Sequence, residues 1–239
     1  MSLFLKLFNT TAEYNAYTAD TSNFILPNVS VAMDDLTTVH YNPYDPYNGH
    51  NYVDLGLPSG LLWCDHNVGA STPEEEGYFF SWGNVEGHNL NGTGTYDFGT
   101  SNSTEPYVSS SGATISYPGS IAIGDDYDMA RANMGGNWRL PTNIEFQELY
   151  DNCTNEWVTQ NGVNGRRFTS NINGNSIFFP AAGNYNGSSH YGWGSDGNYW
   201  SSVLRSAGGA YLLYFNSEGV YPQSGSVRYF GLSVRGVVG

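Results

Sequence analysis

The chain has 239 residues and 26.2 kDa, with 15% aromatic and only 13% charged side chains, which argues against a disordered protein. Its formal net charge is −14, Lys6 is its one lysine and no basic stripe occurs, which argues against nucleic acid and anionic membranes as partners. No run approaches the ~20 apolar residues of a spanning helix, so membrane insertion is not expected.

This length suits one large domain, or a medium domain with a small appendage. A chain of this size buries roughly 70% of its unfolded surface and needs no disulfides. The only cysteines are Cys64 and Cys153. They could pair, but the favoured reading is two partly buried free thiols. The first reading of the acidity is solubility, with the binding of cationic groups or Ca²⁺ as the alternative.

Residues 1–8 are apolar but too short for a signal peptide, and no cleavage site follows. A soluble protein made in the cytoplasm is expected. Residues 11–19 suit a short helix. Alternating residues 29–31 and 39–41 flank Asp34 and Asp35 and suggest a β-hairpin. The NPYDPYNG run at 42–49 reads as a linker. Residues 1–50 alone bury too little to be stable. They are expected to form a small β-rich segment for docking or oligomerisation, packed on the main domain, a sister subunit or virion subunits.

Residues 51–239 read as an α+β domain with two helices and many short, mostly antiparallel strands. The thirty glycines imply many turns. Strands are expected at 52–57, 61–63 and 78–82. Residues 84–120 are rich in Gly, Ser, Thr and Asn and read as a surface excursion. Residues 125–134 suit a helix capped by Asp125 and ended by Gly135. Residues 142–152 form the clearest helix, because Thr142 and Glu145 fit a capping box. Phe146, Leu149 and Tyr150 give it an apolar face. Residues 166–170 and 176–179 are expected to be strands around Asn173 and Gly174. Further strands are expected at 199–203, 210–216 and 227–237.

Chemistry is thin. The five histidines show no metal spacing. Asp125, Asp126 and Asp128 could gather around Ca²⁺, but a helix-capping cluster is the better reading. No hydrolase elbow, phosphate loop or dinucleotide fingerprint appears. No catalytic residue, metal or cofactor is expected. Trp63, Trp82, Trp138 and Trp200 read as core, and Arg139 and Arg235 as structural clamps.

The last quarter differs. Tyr185, His190, Tyr191, Trp193, Tyr199, Tyr211, Tyr214, Tyr221 and Tyr229 are interleaved with Ser, Gly and Asn. Tyr and Trp offer large contact area at low entropy cost, and small polar residues offer adaptable hydrogen bonds, as in antibody paratopes. Tyr185, His190, Tyr191 and Trp193 read as one binding loop. Leu204, Arg205, Ser206, Tyr211, Tyr221, Gln223, Ser224, Ser226, Tyr229 and Phe230 complete the candidate ligand-binding set. An ordinary Tyr-rich surface is the competing reading.

An ordered set of blocks carries a resemblance: GLPSGLLW (56–63), NVGA (67–70), GYFFSWG (77–83), ARAN (130–133), GGNWRLPT (135–142), NGVNG (161–165), NSIFFPAAG (175–183), NYWSS (198–202) and GLSVR (231–235). Over residues 51–239 the chain resembles the Fibrobacter succinogenes major paralogous domain family. That resemblance implies a C-type-lectin-like fold of the variant shared with formylglycine-generating enzymes. The late cysteine pair on which those enzymes depend has no counterpart here, and the Ca²⁺-dependent sugar signatures of lectins are absent. Residues 204–230 are also similar to the variable region of proteins diversified by retroelements. A variable region at about 184–230 is implied, with 199–202, 215–217 and 233–235 as framework. FILPNVS (24–30) and HYNP (40–43) are similar to segments of gut-phage structural proteins.

These resemblances imply a non-enzymatic phage receptor-binding or tail-fibre adhesin on the virion surface. Its partner would be a host-surface protein or glycan. The alternatives are a bacterial cell-surface or fimbrial-tip adhesin and a structural virion protein.

Overall fold

A computed structural model describes residues 7–8, 31–32, 47–91, 94–99, 121 and 126–239. The expected helix at 11–19, most of the expected hairpin at 29–41, and Asp125 lie outside the described residues. The chain divides into two compact units, Met1–Gly49 and His50–Gly239. In the first, β1 (Leu7–Phe8) and β2 (Val31–Ala32) pair in parallel, with Leu7 opposite Val31.

The second unit is α+β and mostly β, with two helices and many short antiparallel strands in several sheets among the described residues. Strands β3 (Tyr52–Asp54) and β4 (Leu62–Cys64) are antiparallel, and Gly60 at φ 74° closes the turn between them with a bond to the Leu57 carbonyl. The final strand β15 (Val237–Val238) pairs with β4, Val237 opposite Trp63. The last strand of the unit therefore lies in one sheet with its first two. Strands β5 (Tyr78–Phe79) and β6 (His88–Asn89) form a small ribbon.

Helix α1 (Met129–Met134) starts later than expected. Its N-cap is Asp128, not Asp125. The Asp128 carboxylate accepts the Arg131 N–H at 3.0 Å and the Leu140 N–H at 3.1 Å. Those two bonds fix the helix start, and Asp126 and Tyr127 are left in a turn. Burial pushes the Asp128 carboxyl above its ordinary value.

Helix α2 (Asn143–Asn152) carries the capping box. Thr142 Oγ1 accepts the Glu145 N–H at 3.1 Å, and Glu145 Oε2 accepts the Thr142 N–H at 2.7 Å. Arg139 adds a bidentate pair to Glu145 at 2.7 and 2.9 Å. Burial raises the Glu145 pKa, but the Arg139 and Thr142 bonds outweigh it and hold the carboxyl below its ordinary value. Phe146 and Leu149 are buried; Tyr150 is exposed, which corrects its place on the apolar face.

No breaker separates α2 from β7 (Cys153–Gln160), a strand absent from the sequence expectations. It pairs with β8 (Val163–Ser170), which pairs with β9 (Ser176–Pro180). The β7–β8 turn is Asn161–Gly162, with φ of 49° and 85°. Both residues adopt the left-handed conformation that an Asn-Gly hairpin turn requires.

Strands β10 (Asn184–Asn186) and β11 (Ser189–Tyr191) form a hairpin. Strands β12 (Gly197–Ser206), β13 (Gly209–Phe215) and β14 (Val220–Val227) form an antiparallel sheet with irregular register at both ladders. The strand expected at 227–237 is therefore not one strand. β14 ends at Val227, and the chain then makes only isolated bridges, such as Leu232 to Phe80, before β15.

The main core joins Leu55, Trp63, Phe146, Leu149, Phe168, Phe179, Tyr199, Leu213, Phe215 and Val237. A second cluster joins Phe79, Leu90, Phe98, Ala182 and Tyr185. Leu90 and Phe98 belong to the segment expected as a surface excursion; these two side chains anchor it in the core, while its other described residues are half-buried or exposed. The four tryptophans expected in the core are buried. Trp82 Nε1 donates to the Ser201 carbonyl and Trp200 Nε1 to the Phe80 carbonyl, which satisfies those two indoles, whereas the buried Trp63 Nε1 has no hydrogen-bond partner among the described residues.

Arg235 is 0% exposed. It donates to Asn67 Oδ1 at 2.7 and 3.0 Å, to the Cys64 carbonyl at 3.0 Å and to the Phe178 carbonyl at 3.0 Å. Its guanidinium lies 4.4 Å from the centre of the Phe179 ring. Cys64 and Cys153 are free and buried. No helix among the described residues is long and apolar enough to cross a membrane.

Candidate ligand-binding face

The structure sorts the candidate residues into groups. The first is the hairpin β10–β11 and the loop after it. Trp193 is 63% exposed and Tyr191 54% exposed. The backbone beneath them is tightly tied. Gly194 N–H donates to the Ala181 carbonyl at 2.8 Å, Asn164 Nδ2 to the Gly194 carbonyl at 3.0 Å, and Asp196 N–H to the Gly192 carbonyl at 2.8 Å. Gly192 and Gly194 have φ of 67° and 73°, so the loop needs their left-handed freedom. Trp193 is thus a large apolar side chain held out into solvent by a braced loop.

Tyr185 is a correction. It is 1% exposed and cannot touch a ligand. It packs against Phe79 and Phe98, and its ring stacks on His190 at 4.3 Å. Its N–H and C=O pair with Gly231. Its role is to support the loop from below. Half-buried His190 sits between core and surface, its ring 6.4 Å from Trp193. Its Nε2 lies 2.7 Å from the Ala182 carbonyl oxygen, so that nitrogen carries a proton.

The second group lines an open cleft of about 470 Å³ between α2 and β14. Tyr221, Gln223 and Ser224 are joined there by Gln147, Tyr214 and Pro222, which lie outside the candidate set, although Tyr214 belongs to the aromatic run. Tyr221 is 51% exposed, and its ring stacks on Tyr214 at 5.7 Å. Tyr214 Oη donates to Asp196 Oδ1 at 2.9 Å and accepts from Asn216 Nδ2 at 3.1 Å. Burial and the Asp196 bond hold this phenol above its ordinary pKa, so it stays neutral. Asp196 also braces the Trp193 loop, so the two groups share one hydrogen-bonded support.

The third group sits where β12 turns into β13. Leu204 and Tyr211 are half-buried, and Arg205 and Ser206 are exposed. The Arg205 guanidinium lies 5.9 Å from the Tyr211 ring centre, and it fills the space a side chain at Gly225 would need. Ser226 is half-buried opposite Ala210. Tyr229 and Phe230 are half-buried in the turn after β14, edge to face at 5.1 Å. They present less surface than Trp193 or Tyr221.

Away from this face, Cys64, Asp65 and His66 bring a thiol, a carboxylate and an imidazole within 4.8 Å of one another. A search for spaced histidines misses this set because its members are consecutive. Burial, partly offset by nearby Arg235, pushes the Cys64 thiol up to about 11, and Asp65 already engages His66 Nδ1. At neutral pH the sulfur is a thiol, a poor metal ligand until deprotonated.

Comparison of the chain with protein-family models, curated proteins and solved structures gave no match.

Proposed function

We propose that this chain is a non-enzymatic ligand-binding protein, a phage receptor-binding or tail-fibre adhesin. Residues 51–239 form its C-type-lectin-like binding domain, and a retroelement diversifies the face at about 184–230. The observation that carries this reading is the exposure of Tyr191, Trp193 and Tyr221 on backbone braced by the framework. Tyr and Trp supply large, rigid contact area at low entropy cost, as in antibody paratopes. Each Tyr or Trp buries roughly 150–250 Å² on contact, so three or four of them cover much of a standard interface of ~800 Å² per partner. The partner is a host-surface protein or glycan. Residues 1–50 dock the domain on virion subunits or on further copies, and linked copies raise avidity by ~10²–10⁴.

Sequencing the DNA beside the gene tests this. A near-copy of the codons for residues 184–235 next to a reverse transcriptase, differing mainly at adenines, supports it. Absence of that repeat removes diversification and leaves a fixed adhesin or a virion subunit.

A further inference from the structure

The cleft between α2 and β14 has a specific chemistry. Asn143 Nδ2 donates to Gln223 Oε1 at 3.4 Å, Gln223 Nε2 to Gln147 Oε1 at 3.1 Å, and Gln147 Nε2 to Asp151 Oδ1 at 2.9 Å. The Asp151 carboxylate only accepts when ionised, so it fixes the direction of the relay. Gln147 and Gln223 each keep a second amide N–H and a second oxygen lone pair for a ligand. Beside them stand Ser224 and the face of Tyr221, stacked on Tyr214. No lining residue is charged. Exposed Asp151 and half-buried Asp196 flank the lining and orient Gln147 and Tyr214 by accepting their hydrogen bonds.

We propose that this cleft binds a neutral saccharide without Ca²⁺. The proposal rests on the reading of the chain as a ligand-binding protein and names the ligand class of that site. A sugar hydroxyl both donates and accepts, as a fixed primary amide does. An anionic ligand finds no counter-charge in the lining and meets the Asp151 carboxylate at its edge. The axial C–H groups of a pyranose carry slight positive charge and pack on the negative face of an aromatic ring such as Tyr221. The cleft volume of about 470 Å³ lies within the roughly 300–1,000 Å³ of small-ligand sites.

The test probes the full chain on an array of neutral oligosaccharides in EDTA, with titration calorimetry on the sugars that bind. Binding that persists in EDTA and falls at least tenfold in Tyr221→Ala and Gln223→Ala supports the proposal. Both side chains are exposed, so these variants should keep the parent Tm, and Glu156→Gln, on the exposed side of β7 and outside the candidate face, serves as a control that retains binding. Lack of binding to every neutral sugar overturns the proposal, as does indifference to both substitutions. A panel of intact bacterial cells, before and after periodate cleavage of sugar diols, separates the two readings. Cell binding that survives periodate overturns the saccharide but keeps the adhesin. Binding to neither array nor cells removes both.

Discussion

Replacing Arg235 by Met should unfold this domain far more readily than the loss of one surface residue would. The guanidinium is wholly buried and supplies four hydrogen bonds to three acceptors: Asn67 Oδ1 and the carbonyls of Cys64 and Phe178. Asn67 cannot turn its amide to compensate, because Nδ2 already donates to the Glu76 carbonyl at 2.8 Å. Met fills much of the volume but satisfies none of the three. Each orphaned buried acceptor costs about 1–3 kcal/mol, which gives a gross loss of roughly 3–9 kcal/mol. Removing a buried cation that contacts no carboxylate returns several kcal/mol of desolvation. Set against that return, the expected net loss is about 1–5 kcal/mol. Urea denaturation measures it, provided the m-value is unchanged. The double variant with Asn67→Leu should lose less than the sum of the singles, because one orphaned acceptor disappears with it. A loss below about 1 kcal/mol at constant m, or strict additivity, would refute the clamp. Arg235 cannot reach a ligand, so residual binding should track the folded fraction alone.

Stability should fall on the alkaline side in a defined window. Burial pushes Tyr199 from an ordinary 10.0 up to about 12, and Cys64 and Cys153 from 9.0 to about 11. Each group is kept neutral by folding. Its contribution is complete below the unfolded pKa and is lost as pH rises through the folded value, so urea midpoints should hold to pH 9 and drop by pH 12. A flat profile across that window would contradict the burial of these groups. The same burial predicts that Cys64 and Cys153 resist a thiol-specific reagent at pH 8 and react together on unfolding; fast native labelling of either would count against it. Thr142→Ala should cost about 1 kcal/mol in urea, since it removes the acceptor for the Glu145 N–H at the start of α2. Trp193→Ala should leave the thermal midpoint within a degree or two, because its indole is mostly in water; a large drop would make it a structural residue.

Local signals were legible and non-local ones were not. Helix α2 shows in the sequence because its capping box joins residues three apart. The Asn173–Gly174 turn between β8 and β9 is local in the same way. β7 was hidden because Cys153 passes from helix to strand without Gly or Pro. Its one clear local mark is the Asn161–Gly162 turn pair. Tyr185 shares the loop composition of Tyr191 and Trp193, but Phe79 and Phe98, distant in sequence, bury it. Gln147 joins Gln223 in the cleft only through packing of α2 on β14. Composition marked the aromatic segment, and tertiary contacts decide which of its members face solvent.

The position of Arg235 and β15 carries a consequence for the fidelity of this gene. The clamp and the closing strand are translated after the whole aromatic segment. A stop codon or frameshift anywhere upstream yields a chain without Arg235 and without the partner of Trp63 on β4. Such a chain loses several kcal/mol against a typical total of about 5–15 kcal/mol. Cellular proteases remove chains of that kind. Altered side chains on the exposed face escape this filter, whereas broken reading frames do not.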